Sequence, residues 1–505
     1  MLVAAFRSSA PSKEIIVFTT YNYKDYLLIS QTSKKHLLFS LNILRCLELW
    51  LVLLAGGLLL SGCSSLPPLY AGRHDQDMMR EAEKGRIVAT GGELMGAMRE
   101  PIDARLSRMN GDGALDRQRA VFEAVSQVTT RGGHDAHILV DGPAAWDAIF
   151  AALRSASDTI HIESFIFEEL DFNARLSEVL IERQRAGVAV RVIYDSFGSF
   201  STPRAFLDLL HTNGVALCEF NPINPLRASL WRPNHRDHRK IVVVDGRVAF
   251  TGGINFHSVY RSGSAMRTPA SKSALEEGWR DTHVELRGLA VDDLQQLFLA
   301  TWKKQSCGSI APFAARPEDV NTGPHQVAII GSSPDGMPSR MYLLLAAAIT
   351  YSRESVWLTS AYFAPDENTI NALKAAARRG VDVRLLLPGI TDSDTALRAG
   401  QSHYADLLAA GVRIFERHDA LLHAKTAVID SAWATIGSSN LDWRSFCQND
   451  EVNAVFLDLD IGRQMRAVFE ADLVVAEEIK LATWQQRSQG ARAKEWLARQ
   501  FDRFL

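Results

Sequence analysis

His238-Arg-Lys240-Ile-Val-Val-Val-Asp245, followed by Gly252-Gly253-Ile254-Asn255, is answered in the second half of the chain by His423-Ala-Lys425-Thr-Ala-Val-Ile-Asp430 and Gly437-Ser438-Ser439-Asn440. One match alone fixes few positions. Two with the same internal spacing, each set before an apolar run and a Gly-rich turn, point to duplication. β-Branched residues dominate the run from Lys to Asp, as in a buried strand. Strand side chains alternate faces, so His and Lys two positions apart are expected to point the same way. Each half then presents an imidazole and an ammonium side by side. A turn is expected at Gly246 and Ser431, and the apolar runs leading to Gly252 and Gly437 predict a hairpin. Asn255 and Asn440 are expected to close the far side of the pocket.

The repeat extends upstream. Ile160-His-Ile-Glu-Ser-Phe-Ile-Phe167 and Val356-Trp-Leu-Thr-Ser-Ala-Tyr-Phe363 read as strands, each preceded by an amphipathic segment (Trp146 to Arg154, Tyr342 to Ala348) and followed by a helix ending at Gly187 or Gly380. Further strands follow at Val188–Tyr194 and Val381–Leu387, then helices ending at Gly214 and Gly411. The order of elements holds while loop lengths differ. This is a duplicated β-α-β-α unit of the α/β class, with mainly parallel sheets flanked by helices. Two such lobes can pack about a pseudo-two-fold axis that brings both motifs to one site, as in a symmetric dimer.

His235 and His238, three apart, also fit half of a metal site. The repeated Lys argues otherwise, because an ammonium repels a cation and attracts an anion. No metal or cofactor is therefore expected. His235, His403 and His418 lack a repeated partner and are read as structural.

These stretches resemble the phospholipase D superfamily and, within it, the bacterial cardiolipin synthases, over residues 135 to 475. Beyond the motifs, the likeness is carried by Asn234-His-Arg-Asp-His-Arg-Lys-Ile-Val-Val-Val-Asp-Gly246, Thr251-Gly-Gly-Ile-Asn-Phe256, Gly278-Trp-Arg-Asp-Thr-His283, Ser360-Ala-Tyr-Phe-Ala-Pro365 and Gly437-Ser-Ser-Asn-Leu-Asp-Trp-Arg-Ser445. It implies a catalytic set of His238, Lys240, Asp245, His423, Lys425 and Asp430, within which the two Asp are read as bracing the hairpins. A phosphodiester is an anion that resists nucleophiles until its charge is offset. Lys240, Lys425, Asn255, Asn440 and Ser438 would hold its oxygens. The family analogy makes His238 the nucleophile, forming a phosphohistidine, and His423 the general acid and base. The two imidazoles need opposite protonation states and are expected to titrate as a pair. Asp281 and Glu451 are the candidates to orient them.

The resemblance implies transfer of a phosphatidyl group from one phosphatidylglycerol to the hydroxyl of another, releasing glycerol. Hydrolysis of phospholipid or nucleic acid is the alternative, and a lipid-binding scaffold without activity is a third. The scaffold would have lost a motif His or Lys, and both pairs are present. A formal charge of −3 over 505 residues gives no basic footprint for nucleic acid. The two lobes form an intramolecular pseudo-dimer that needs no obligate protein partner.

The N-terminal run Leu49–Leu60 has signal-peptide length, and Leu60-Ser-Gly-Cys63 resembles a lipoprotein cleavage box with Cys63 acylated. A membrane-spanning segment from Leu37 to Leu60 is the competing reading, interrupted by Arg45 and Glu48. The expectation is a periplasm-facing protein anchored by its acyl chains. Ser64 is not the Asp that, by family analogy, would retain a lipoprotein in the inner membrane, so the outer membrane is the expected location and the inner membrane the alternative. Residues 1–44 exceed an ordinary leader and suggest a later start codon. Among Cys218, Cys307 and Cys447 at most one disulfide is possible. The predicted organisation is a leader (1–63), a helical linker (64–134), two lobes (135–310 and 325–475) and a helical tail (476–505). The tail, with Trp484, Trp496, Phe501 and Phe504, is expected to pack on the domain, and grazing a membrane is its other reading.

Overall fold

The motif runs form buried strands, and every side chain of Lys240–Val244 is shielded from water. The computed structural model of the protein describes residues 96–109, 113–126, 130–172, 174–223, 232–264, 275, 278–310, 322–336 and 339–501. Cys63, the leader and much of the linker lie outside the described residues.

Two helices, α1 (Gly96–Leu106) and α2 (Ala114–Ser126), precede the first lobe. That lobe comprises β1 (Arg131–Val140), α3 (Asp141–Ser155), β2 (Thr159–Ser164), α4 (Leu176–Arg185), β3 (Ala189–Asp195), α5 (Arg204–Thr212), β4 (Ala216–Phe220), β5 (Arg236–Asp237), β6 (Lys240–Val244), β7 (Val248–Gly252), β8 (Thr282–Arg287) and α6 (Ala290–Lys304). The second repeats the order as β9 (His325–Ser332), α7 (Arg340–Thr350), β10 (Ser355–Thr359), α8 (Glu367–Arg378), β11 (Asp382–Pro388), α9 (Asp394–Gln401), α10 (Tyr404–Ala409), β12 (Arg413–Arg417), β13 (Thr426–Ile429), β14 (Trp433–Gly437), α11 (Trp443–Cys447), β15 (Asn449–Leu457) and α12 (Leu459–Val474). Then come β16 (Ala476–Ile479), α13 (Leu481–Gln485) and α14 (Gln489–Arg499).

Among the described residues these strands join one sheet in the order β16, β12, β11, β10, β13, β14, β15, β9, β1, β8, β7, β6, β2, β3, β4, with β5 beside β15. The α/β class and the duplication are as expected. The mainly parallel pairing is corrected: within the sheet, parallel ladders join only β2, β3 and β4, then β10, β11 and β12, and finally β5 with β15. The motif strands pair antiparallel with both neighbours. A tight turn can join only antiparallel strands, whereas parallel neighbours need the helical crossovers found between β2 and β4 and between β10 and β12.

Both hairpin turns are closed by an N–H to carbonyl bond, Arg247 to Val244 (3.0 Å) and Ala432 to Ile429 (3.1 Å). Their central residues have positive φ: Asp245 (53°), Gly246 (62°), Asp430 (52°) and Ser431 (50°). That is the turn geometry whose twist matches the flanking strands. Each motif Asp is held there by its carboxylate. Asp245 accepts from the N–H of Ser157 (2.9 Å), Asp158 (2.7 Å) and Thr159 (2.8 Å). Asp430 accepts from Arg353 (3.1 Å), Glu354 (2.8 Å) and Ser355 (3.1 Å), and also from the buried Arg117 guanidinium at 3.0 Å. Both therefore tie the hairpin to the start of β2 or β10 and take no part in the reaction centre.

Burial drives the lobes together. Ile241, Val243 and Val284 of the first meet Leu422, Val428, Ile436 and Val452 of the second in a shared core. Each such side chain contributes about 1.5–3 kcal/mol on leaving water. Cys218 in β4 and Cys307 after α6 form a disulfide with a Cα–Cα distance of 5.6 Å, while Cys447 is buried and takes part in none. The tail packs on the second lobe through Trp484, whose ring lies 4.8 Å from Tyr404, and leaves Trp496 exposed. Among the described residues no helix is long and apolar enough to cross a membrane.

Candidate active site

β6 begins at Lys240 and β13 at Thr426, so each motif His stands just outside its strand. The backbone of each motif His is anchored on the other lobe instead. The His238 N–H donates to the Asp450 carbonyl (2.9 Å) and the His423 N–H to the Arg280 carbonyl (2.7 Å). Each ammonium turns back on its own motif: Lys240 Nζ donates to the His238 carbonyl at 2.6 Å, and Lys425 Nζ to that of His423.

The orienting carboxylates also cross. His238 Nδ1 lies 3.0 Å from Glu451 Oε2, and His423 Nδ1 lies 2.7 Å from Asp281 Oδ2. Each lobe thus lends its acid to the other lobe's imidazole. With Nδ1 occupied, Nε2 is the ring nitrogen left for chemistry. The charges of Lys240, Lys425 and His423 all act on His238, as those of both lysines do on His423. One water-poor centre holds all four groups.

Around this shared plan the half-sites differ. His423 sits among rings: Trp279 at 5.3 Å, Tyr362 at 6.3 Å, and Tyr260, whose hydroxyl is 2.9 Å from Nδ1. Among the described residues His238 meets one aromatic side chain, Phe165, at 5.2 Å. Its acid is surrounded by small polar groups instead: the Ser438 hydroxyl donates to Glu451, Asn449 Nδ2 reaches it at 3.3 Å, and Ser445 bonds to it as well. Ser438 was expected on the substrate phosphate. It is instead fully buried, because it leaves β14 directly beside β15, and its oxygen also accepts the Val452 N–H at 2.9 Å. Its counterpart Gly253 has no room for a side chain, since a Cβ there would lie 2.1 Å from Asp281 Oδ1. Asn255 accepts the Ile166 N–H at 3.4 Å. Asn440 Oδ1 is buried without a hydrogen-bond partner among the described residues.

Tyr260 and Ser445 escaped the sequence reading. Yet each stands five residues past its motif Asn, an equal offset that marks them as counterparts.

Electrostatics sharpens the difference. Burial, then the charges of Lys240 and Lys425, push His238 well below the ordinary imidazole range. Burial raises Glu451 to about 7, against the pull of Lys240. Burial would raise Asp281 too, but the charge of His423, its hydrogen bond and Lys425 hold this carboxyl below its ordinary value. His423 is lowered by burial and Lys425, with Asp281 opposing. Burial brings the ammoniums down to about 7 for Lys240 and about 8 for Lys425. The result is a strongly lowered, neutral imidazole on one side and, on the other, a lowered imidazole whose carboxylate partner opposes the shift.

A two-lobed α/β protein with two His-Lys pairs buried at one centre is the class that fold and site define. The family model described as cardiolipin synthase, PLD-like domain, matches residues 149–261 and 345–473, one span in each lobe. Cardiolipin synthase 2 of Bacillus anthracis is 35% identical over 353 residues, covering 69% of this chain and 66% of that protein. The cardiolipin synthase of Geobacillus sp. (strain WCH70) is 35% identical over 368 residues, 72% of this chain and 71% of that one. That of Geobacillus kaustophilus (strain HTA426) is 36% identical over 365 residues, with shares of 72% and 70%. The matched stretch thus spans about two thirds of each of these relatives. Phosphatidylserine synthase of Haemophilus influenzae Rd KW20 shares the fold, with a TM-score of 0.53 at 12% identity over 73% of this chain and 95% of that one. The chain belongs to the cardiolipin synthase family of phospholipase D-like phosphatidyltransferases.

Proposed function

We propose that the protein makes cardiolipin from two phosphatidylglycerol molecules in two displacements at one phosphorus. In the first, His238 Nε2 attacks phosphorus and the bond to the terminal glycerol oxygen breaks. His423 gives its proton to that oxygen, and glycerol leaves. In the second, His423 takes the proton from a hydroxyl of the next phosphatidylglycerol, whose oxygen attacks the phosphohistidine. The N–P bond breaks and the phosphatidyl group moves to its acceptor. Lys240, Lys425, Asn255 and Asn440 offset charge on the phosphoryl oxygens throughout.

The observation that carries this reading is the crossed pairing of His238 with Glu451 and of His423 with Asp281. It supports a reading in which both imidazoles act on one phosphorus in complementary protonation states. Incubation of the full chain with phosphatidylglycerol carrying labelled glycerol tests it. One labelled glycerol should appear per cardiolipin formed. Phosphatidic acid as the main product would replace transfer by hydrolysis, the second reading.

We further propose a lipid-anchored, periplasm-facing protein acylated at Cys63. The Leu60-Ser-Gly-Cys63 box supports it, as does the Cys218–Cys307 disulfide, a bond that persists in oxidising compartments. Palmitate labelling should be lost in Cys63→Ala, and retained labelling would remove the anchor from this position.

A further inference from the structure

Two large aromatic side chains stand in solvent one step from the His238 ring. Phe197 is 61% exposed and Phe200 80%, in the segment between β3 and α5. This loop is pinned from within. Asp195 Oδ1 accepts the N–H groups of Phe197 (2.8 Å) and Gly198 (3.0 Å), and the Phe200 N–H donates to the Phe197 carbonyl (3.2 Å). It is also pinned to the site. Ser199 Oγ donates to the Phe165 carbonyl (3.1 Å) and accepts the Phe167 N–H (3.1 Å), while Thr202 Oγ1 donates to the Phe167 carbonyl (3.0 Å). Gly198 presses so closely on Phe165 that a Cβ would lie 2.2 Å from its carbonyl oxygen. Phe165 in turn lies 5.2 Å from the His238 ring and 5.6 Å from Lys240 Nζ.

Topology explains the placement. β2, β3 and β4 run parallel, so the loops after them share one edge, and Lys240 pairs with Ser164 at that edge. Ile223, just past β4, adds a third exposed apolar side chain at 43%. The corresponding loop after β11 in the second lobe is polar: its Asp392 accepts the Tyr362 hydroxyl at 2.7 Å. Among the described residues, that loop after β11 carries no large exposed aromatic side chain to match Phe197 and Phe200.

We propose that Phe197 and Phe200 form a wedge that inserts into a phospholipid surface, letting the donor lipid reach His238 directly from the membrane. This rests on the phosphatidyltransferase reading for its choice of surface. A rigid loop loses little conformational freedom on insertion, and aromatic rings partition well into the zone between headgroups and acyl chains.

The full chain carrying Phe197→Ser and Phe200→Ser should lose about tenfold or more of its turnover on phosphatidylglycerol vesicles, the factor expected when insertion weakens by one decade in partitioning. Its turnover of a short-chain phosphatidylglycerol kept below micelle formation should stay unchanged. Val474→Ser, at a site 84% exposed and away from the catalytic edge, should alter neither. In a second measurement, Phe200→Cys labelled with a polarity-sensitive fluorophore should be quenched by brominated acyl chains in phosphatidylglycerol vesicles. An unquenched label, or an equal loss on vesicles and on the short-chain lipid, would overturn the wedge. If the wild-type chain transferred nothing, the quenching result would still decide insertion while the proposed reaction fell.

Discussion

The two half-sites share one plan but not one chemistry. His423 is paired with a carboxyl held below its ordinary value and enclosed by Trp279, Tyr260 and Tyr362. His238 is paired with a carboxyl raised to about 7 and surrounded by Ser438, Ser445 and Asn449. An ionised partner favours the imidazolium, as an acid and base requires; a protonated or proton-sharing partner leaves the imidazole neutral, as a nucleophile requires. Duplication supplied two equal centres, and the residues around the carboxylates made them unequal.

The largest test of that inequality exchanges the imidazoles for methyl groups. His238→Ala should abolish both transfer and any covalent intermediate. His423→Ala should still accumulate a phosphohistidine from a phosphodiester with a good leaving group, because no proton is then needed in the first displacement. Mass spectrometry after an alkaline quench reads the adduct, and finding it on His423 in the His238 variant would invert the assignment.

Neutralising the acids is the next step down. Asp281→Asn should lower kcat by about 10²–10⁴-fold, the range of general acid–base catalysis. Glu451→Gln should cost about tenfold, since a neutral group already serves there over part of the working range. Equal losses would mean that the half-sites are electrostatically alike.

The lysines sharpen the comparison through pH. Burial holds Lys240 at about 7 and Lys425 at about 8 in the free enzyme. Each is charged below its value and neutral above, so kcat/KM should fall as pH rises through this window. A bound phosphodiester anion raises both ammoniums again, so kcat should hold to higher pH. A kcat that fell with kcat/KM would show that the anion does not sit between them.

The hairpin braces are expected to leave the chemistry at the two half-sites least changed, and their effects fall on stability. Asp430→Ala strands the buried Arg117 and should cost about 3–5 kcal/mol in denaturant unfolding. Asp245→Ala leaves N–H groups near the surface and should cost about 1–3 kcal/mol. The reverse order would deny α2 its role in bracing the second lobe.

Much of the site was legible because the motif is local. The His, Lys and Asn of each half stand within eighteen residues, and their spacing repeats. Asp281 and Glu451 were also legible as candidates, being acids downstream of the two motifs. Which imidazole each would serve was not. Ser438 was misread because its sequence position suggests the pocket, while the ladder of β14 on β15 turns it toward Glu451. The strand directions were misread for a similar reason: alternating strands and helices describe the crossovers well but say little about the hairpins that dominate the middle of the sheet.

From the order of its residues alone, this chain declares two related lobes, two His-Lys pairs and the strands and turns that present them, because those features depend on side-chain alternation and turn chemistry over a few positions. Tertiary packing alone decides that the acids cross between lobes, that one imidazole lies among rings and the other among hydroxyls, and that two phenylalanines remain in water. His238 and Glu451 are separated by 213 residues, and only the burial of the shared apolar face draws such distant groups into contact.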